Sequence, residues 1–481
     1  MPIITTRKTP WTVLDPDERR RNFQEVDRGY TLAQAEAEAL RCLRCQDPAC
    51  QRGCPVGVPI RDFIGFIVEG DLAAAYRRIL EVSRLPAICG RVCPQERQCE
   101  GACVISGKQE PVSIGRLERF VADWAREHAI QAGEPPSTRL SHKAAVVGSG
   151  PAGLVCAYDL ATLGYQVTIF EGLNAIGGIL AYGIPDFRLP KDVVREIVDD
   201  LQEAGVEVKT GTVVGKTVTI DQLANDLGYE AVFIGVGAGV PNALGAPGED
   251  LKGIYTANEL LAWLNLKGDT ALKEAIARTN LAQPGEEPPR IGRRVAVIGS
   301  GDAAMDAVQT ALRLGAEEAH VVYRRTINEM TAHLEAYHHA LEEGVQFHWL
   351  TLPVRFLGDD QGWVRAMECL RMELGEPDES GRRSPVPVEG SEFIMEVDTV
   401  ITAIGFSANT LALAQAVGIE TDRRGRVLID AETGATSRQG VFAGGDIVRG
   451  PATVIQAMGD GRQAAAAIHR YLQTKAAARA G

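Results

Sequence analysis

The chain has 481 residues, 23% of them charged, and a formal net charge of −13. Such a length allows about two to four domains with packed cores, and the acidic balance argues against a general affinity for nucleic acid or an anionic membrane. No run of about 18 apolar residues occurs, which excludes an ordinary transmembrane helix, and the N-terminal "MPIITTRKTPWTVLDPDERRR" lacks the apolar centre of a signal peptide. A cytoplasmic, reducing location is therefore expected, where clustered cysteines read as metal ligands before disulfides.

Residues 1–140 carry most of the cysteines and read as helical. "TLAQAEAEALRCLRC" opens on a capping threonine, Thr31, and continues with strong helix formers. "DLAAAYRRILEVSRL", with Asp71 as its cap, and "IGRLERFVADWAREHAI" predict two more helices. Eight of the ten cysteines lie between residues 42 and 103. The first group, C-x2-C-x4-C-x3-C-P, is Cys42, Cys45, Cys50 and Cys54; the second, C-x3-C-x5-C-x3-C, is Cys89, Cys93, Cys99 and Cys103. Zinc is the plain alternative, but the spacings do not give two CxxC knuckles. Close thiolates followed by Cys-Pro fit ferredoxin-type runs, in which the last cysteine often serves the other cluster. Two [4Fe–4S] clusters are expected. Cys156 and Cys369 sit in apolar surroundings and read as buried small hydrophobes.

"AGEPPS" (132–137) reads as a linker, and the pattern then changes. "AAVVGSGPAGLVCAYDLATLGYQVTIFEG" is strand, glycine turn, helix, strand. Gly148 permits the tight turn, Gly150 lets the backbone approach a pyrophosphate, and Gly153 lets helix and strand pack closely. Glu171 ends the second strand, 23 positions after Gly148, where an acid binds ribose hydroxyls. After a second boundary, "PGEEPPR" (284–290), the unit recurs as "RVAVIGSGDAAMDAVQTALRLGAEEAHVVYRR". Its turn holds Gly299, Gly301 and Ala304, a tolerated third position. No acid follows; Arg324 and Arg325 stand near that place. A guanidinium can grip a 2′-phosphate that an acid would repel, so this turn should prefer NADPH to NADH.

Two dinucleotide sites suggest FAD at the first turn and NADPH at the second. In the tail, "FAGGD" places Gly444, Gly445 and Asp446 for a flavin's ribityl and phosphate groups. The helix opening near Thr453 is placed to aim its positive end at the reduced ring. "AVFIGVGA" (231–238) and "VITAIGF" (400–406) read as strands and crossovers between the nucleotide domains. Hydride transfer needs stacking and a dry site more than an acid–base pair, so no residue is assigned as catalytic. The pair His338–His339 reads as part of a surface helix, and no HExxH spacing is present.

Together "RCLRC…C…CP", "CGRVCPQERQCEGAC", "IGRLERF", "GSGPAGL", "IGGILAYGIPDFRLPK", "GSGDAAMD", "VYRR" and "FAGGDIVRG" resemble the small (β) subunit family of NADPH-dependent glutamate synthase, from about residue 25 to 473. The wider group includes part of dihydropyrimidine dehydrogenase and the large subunit of NADH-dependent ferredoxin:NADP oxidoreductase. The resemblance implies an α/β protein: an N-terminal α-helical double [4Fe–4S] domain (1–140), then two Rossmann-like dinucleotide-binding domains. The FAD domain (141–285 and 405–481) would hold an inserted NADPH domain (286–404), and Gly178 of "IGGILAYG" joins the cofactor-binding candidates. Electrons would pass from NADPH to FAD, through the clusters, to a large FMN-containing amidotransferase subunit that makes glutamate from glutamine and 2-oxoglutarate.

The resemblance also implies cluster ligands. Glu118 occupies the place of a ligating glutamine or glutamate, which gives Cys42, Cys45, Cys50 and Glu118 for one cluster and Cys54, Cys93, Cys99 and Cys103 for the other. Cys89 would be spare; simple counting would instead use all eight cysteines and leave Glu118 on a helix face. The chain departs from the family's frequent "YRR…NMPGS", reading "YRRTINEMTAHLEAYHHALEEGV", closer to the ferredoxin:NADP-type relatives. The alternative is thus an NADP(H)/FAD/Fe–S subunit of a ferredoxin-linked complex. No cysteine follows Met1, and no room remains for an FMN barrel of about 250 residues, so a partner is expected.

Overall fold

The computed structural model describes residues 6–130, 139–266, 289–378, 381–413 and 416–480. The linker at 132–137 and most of that at 284–290 lie outside the described residues.

The cysteine-bearing front is helical. Thr31 and Gln34 form a reciprocal capping box at the head of the helix Leu32–Ala39, and Asp71 accepts from the Ala74 N–H to cap Leu72–Leu80. The helix Ile60–Glu69 buries Phe63, Ile64 and Ile67 between them and ends at Gly70, whose φ of +77° a side chain would disfavour. The helix Ile114–Glu127 adds Leu117 and Val121 to this core. Its other side, through Ala122, joins the neighbouring core with Ile88 and Val92 of the helix Pro86–Val92. The cysteine module is therefore packed into the rest of the protein, not tethered to it.

Two five-stranded sheets follow. In the first, the order is Val441–Ala443, Ala231–Ile234, Lys143–Val147, Gln166–Phe170, Glu207–Lys209. In the second, it is Ile254–Thr256, Thr399–Thr402, Arg294–Ile298, Glu318–Tyr323, Gln346–Trp349. All these neighbours pair in parallel. Parallel sheets need both faces covered, and the central strands are correspondingly apolar and buried. The helices Pro151–Thr162 and Val454–Ala480 lie together on the first sheet, so close that a methyl on Gly461 would stand 2.1 Å from the Ala152 carbonyl oxygen. A short antiparallel ribbon, Val240–Pro241 with Phe406–Ser407, joins the two modules where the chain crosses out and back.

Two features were not anticipated. The strand Ile254–Thr256 and the helix Ala257–Asn265 belong to the second sheet and its core, although a boundary at 285 puts them in the first module. A three-residue edge strand without a glycine turn leaves no periodic signal. An antiparallel sheet of Thr351–Gly358, Val364–Pro377, Arg383–Pro387 and Phe393–Glu396 is also inserted before Thr399. Among the described residues no helix is long and apolar enough to cross a membrane.

Candidate functional site

A cavity of ≈ 1330 Å³ runs between the two sheets, and both glycine turns open into it. Gly148, Gly150, Glu171, Gly178, Gly445, Asp446 and Thr453 line it from the first module; Gly299, Gly301, Arg324 and Arg325 line it from the second. Gly153 and Ala304 lie behind their turns. A methyl on Gly153 would stand 2.0 Å from the Gly148 carbonyl oxygen, whereas the Ala304 methyl is accommodated and fully buried.

The turns can hold phosphates. Gly150 and Gly301 cap the helices Pro151–Thr162 and Asp302–Arg313 with no side-chain hydrogen bond. The leading N–H groups of both helices thus stay available on the cavity side. A methyl on Gly150 would meet nothing within 4 Å, while Gly148, at φ +95°, lies against the Gly235 carbonyl. Glu171 is buried and held from three directions. Its Oε2 accepts from the Ser149 N–H at 2.9 Å and from the Ser149 hydroxyl, and its Oε1 accepts from the Leu173 N–H at 2.9 Å. The acid therefore braces the turn as well as facing the cavity.

The paired arginines separate. Arg325 is buried, its Nε donating to the Arg383 carbonyl at 2.8 Å and its Nη2 to Asp378 at 2.6 Å. Its guanidinium is spent on the inserted antiparallel sheet. Arg324 is exposed at the cavity wall, with its charge free of the inserted sheet. Arg325 also lines the cavity, but its guanidinium is already paired with a residue 53 positions away.

In the tail, Gly445 turns at φ +76° and donates its N–H to Asp460 at 2.8 Å. Burial pushes the Asp446 carboxyl up to about 6, against a hydrogen bond from the Ala452 N–H. Thr453 and Gln456 cap the helix Val454–Ala480, whose N-terminus reaches the cavity. Sequence reasoning missed Arg188 and Asp306. Arg188 Nη1 donates to both oxygens of Asp306 at 2.9 Å across the two modules, at the cavity wall. The two are 118 residues apart and share no motif. His338 is exposed as expected of a surface helix, but His339 turns inward, and burial lowers it to about 4.

All ten cysteines are free, and Cys156 and Cys369 are fully buried. The other eight fall into two groups that differ from the implied division. Cys42 and Cys50 both lie within electrostatic reach of Cys45 and Cys103. Cys54, Cys93 and Cys99 each lie within electrostatic reach of Glu118, and Cys99 also of Cys54. Cys103 and Glu118 thus exchange places relative to the expectation, because the helix Ile114–Glu127 packs its Glu118 side against the helix that leads into Cys93. Cys89 lies one helical turn before Cys93, whose N–H donates to the Cys89 carbonyl at 3.1 Å. Glu118 is buried, its Oε1 has no hydrogen-bond partner, and burial pushes its carboxyl up to about 8. An orphaned carboxylate among three thiols suits a cationic iron centre and is costly without one. Among the described residues no three His, Cys, Asp or Glu side chains close on a point that would hold a single ion.

The Glu118 group lies nearest the cavity. Cys54, Val56 and Cys93 pack into the core of the first module, and a methyl on Gly459 would stand 2.8 Å from Val56 Cγ1. The Cys42 group lies farther out, beside Leu40, Leu43 and Val104, each about half exposed.

Comparison with known proteins agrees with this architecture. Residues 19–130 match the family model described as dihydropyrimidine dehydrogenase domain II, 4Fe-4S cluster, and residues 142–461 match pyridine nucleotide-disulphide oxidoreductase. The glutamate synthase [NADPH] small chain of Azospirillum brasilense is 38% identical over 463 residues, covering 96% of this chain and 94% of that one. The NADP(+)-dependent formate dehydrogenase subunit beta of Moorella thermoacetica is 39% identical over 471 residues, covering 93% of this chain and 63% of that one. Mycobacterium tuberculosis FprA in complex with NADPH shares the fold, with a TM-score of 0.58 at 20% identity over 70% of this chain and 86% of that one. The chain belongs to the family of pyridine nucleotide oxidoreductases with an N-terminal 4Fe–4S domain that includes the glutamate synthase small chains.

Proposed function

We propose that the chain is an electron-input subunit that oxidises NADPH by hydride transfer to FAD and delivers the electrons through two [4Fe–4S] clusters to a partner protein. The observation that carries this reading is the shared cavity: two uncapped helix N-termini open into it from opposite sheets, and the Glu118 group packs directly behind it. When bound, FAD takes a hydride from a nicotinamide and gives up its electrons singly, which the clusters carry onward.

The chain's own residues bind and orient. The Gly148–Gly150 turn would hold the FAD pyrophosphate and Glu171 its ribose, with Gly178, Gly445 and Asp446 along the remainder. The Gly299–Gly301 turn would hold the NADPH pyrophosphate and Arg324 its 2′-phosphate. The helix capped by Thr453 directs its positive end into the cavity, which favours negative charge there. The Arg188–Asp306 pair ties the two sheets across the site and so fixes the approach of one nucleotide to the other.

For the clusters, the inner set is Cys54, Cys93, Cys99 and Glu118, and the outer set is Cys42, Cys45, Cys50 and Cys103. Glu118→Ala should then lose about half the iron and one of two EPR signals, while Cys89→Ala keeps both. Loss of a cluster in Cys89→Ala alone would return Cys89 to the ligand set.

The partner we infer is the large FMN-containing subunit of a glutamate synthase, working in a cytoplasmic, reducing setting. Support comes from the Azospirillum relative, which spans nearly the same length. The departure after "VYRR" and the equally similar Moorella chain, which has a different name, favour a second reading. In it, the same module serves another redox complex, such as a ferredoxin-linked one. The test is purification of the native complex, followed by assay of NADPH oxidation with artificial acceptors and of glutamine-dependent glutamate formation. NADPH oxidation without glutamate formation selects the second reading; no NADPH oxidation refutes both.

A further inference from the structure

The second glycine turn is braced by a segment of its own module that a loop of the cysteine domain holds from the other side. The segment 330–334 runs beside it, and the Ser300 carbonyl accepts from the N–H groups of Thr331 at 3.3 Å and Ala332 at 3.0 Å. Asp302 Oδ1 accepts from the His333 N–H at 3.0 Å. The other side of the same segment is gripped by the loop between Cys93 and Cys99. Arg97 donates Nη1 to the Thr331 carbonyl at 2.8 Å, and Nη2 to the carbonyls of Met330 at 3.1 Å and Ala332 at 2.8 Å. The Val92 carbonyl lies 3.0 Å from His333 Nε2, and Glu96 Oε1 accepts from the Leu334 N–H at 3.4 Å. Arg97 and Thr331 both line the cavity. A planar fork of donors on three successive carbonyls fixes a backbone in a way that a single ammonium cannot.

We propose that Arg97 is a positioning residue for NADPH. It fixes the 330–334 segment against the turn at Ser300, and thereby joins nucleotide binding to the loop that carries Cys93 and Cys99. The inference rests on the reading of Gly299–Gly301 as the NADPH turn. Coupling of this kind is reciprocal, so a nucleotide that orders the turn also orders the cysteine loop.

Amide hydrogen exchange of the oxidised holoenzyme, with and without saturating NADP+, tests this in the wild type, Arg97→Ala and Arg97→Lys. In the wild type, NADP+ should slow exchange at 298–306 and also at 92–101. In both variants protection at 298–306 should persist while that at 92–101 is lost. NADP+ should bind about tenfold more weakly by calorimetry, and the loss should appear in KM for NADPH and not in kcat. Wild-type affinity in Arg97→Lys would overturn the requirement for the fork. Protection confined to 298–306 in the wild type overturns the coupling and leaves the NADPH site standing; no protection at 298–306 overturns both. Iron and flavin contents identify a variant that has failed to load, and the wild-type arm decides without it.

Discussion

The first glycine turn is braced by an acid of its own sheet, whereas the second is braced by a segment that a distant loop holds in place. In the first, Glu171 satisfies both the N–H and the hydroxyl of Ser149, and Gly153 is wedged against the Gly148 carbonyl. In the second, Ser300 Oγ has no hydrogen-bond partner, Ala304 replaces the wedged glycine, and the contacts come from Thr331 and Ala332. The strand leading into each turn sits in the same four-strand order, and the sheets differ only in the fifth, edge strand, which comes last in the chain for the first sheet and first for the second, so topology at the turns does not cause this difference. A turn closed within its own module suits a nucleotide that stays; a turn whose bracing segment is held by another module suits one that comes and goes. Substitutions at equivalent places can break or sharpen that contrast.

The largest effect is expected at Gly153. Its substitution by alanine, the residue found at the equivalent position 304, places a methyl 2.0 Å from a carbonyl oxygen that is itself part of the turn. Backbone cannot yield as a side chain would, and overpacking of this kind costs about 3 kcal/mol. Gly153→Ala should purify with little flavin absorbance while retaining its iron; full flavin content would remove the distinction between the turns.

Glu171→Ala comes next. It leaves the Ser149 N–H buried without its acceptor, at a cost of about 2 kcal/mol, so FAD should dissociate about 30-fold more readily in a flavin-release assay. Unchanged release would mean that the turn holds without its acid.

At the second turn the arginines should divide by role. Arg324→Ala removes the free guanidinium and should lower the NADPH/NADH ratio of kcat/KM about tenfold, which corresponds to one charge-assisted hydrogen bond of about 1.5 kcal/mol. Arg325→Ala should leave that ratio alone and lower Tm, because it strips Asp378 of a buried partner. The reverse pattern would exchange the two assignments.

The sequence makes the two turns legible because a glycine that must turn or admit a backbone leaves its mark at a fixed spacing. The helices of the front were equally legible from Thr31, Asp71 and the run of helix formers. What stayed hidden are pairings set by tertiary packing. Arg97 reaches carbonyls 233 to 235 residues away, Arg325 finds Asp378, and Arg188 finds Asp306. The exchange of Cys103 and Glu118 between the cysteine groups has the same origin. Spacing shows which residues can be ligands, but the packing of the helix Ile114–Glu127 decides which thiols each of them meets.

The smallest effect is expected from the reverse substitution, Ala304→Gly. The Ala304 methyl is buried in the first turn of the helix Asp302–Arg313, and glycine in a helix costs about 1 kcal/mol relative to alanine. Tm should fall slightly. The affinity for NADPH should hold within about twofold, since Gly301 lines the cavity and residue 304 lies behind the turn. A large loss of affinity would mean that the methyl helps to shape the second turn from behind. That turn would then be built like the first, and the division between a self-braced and an externally braced site would fall.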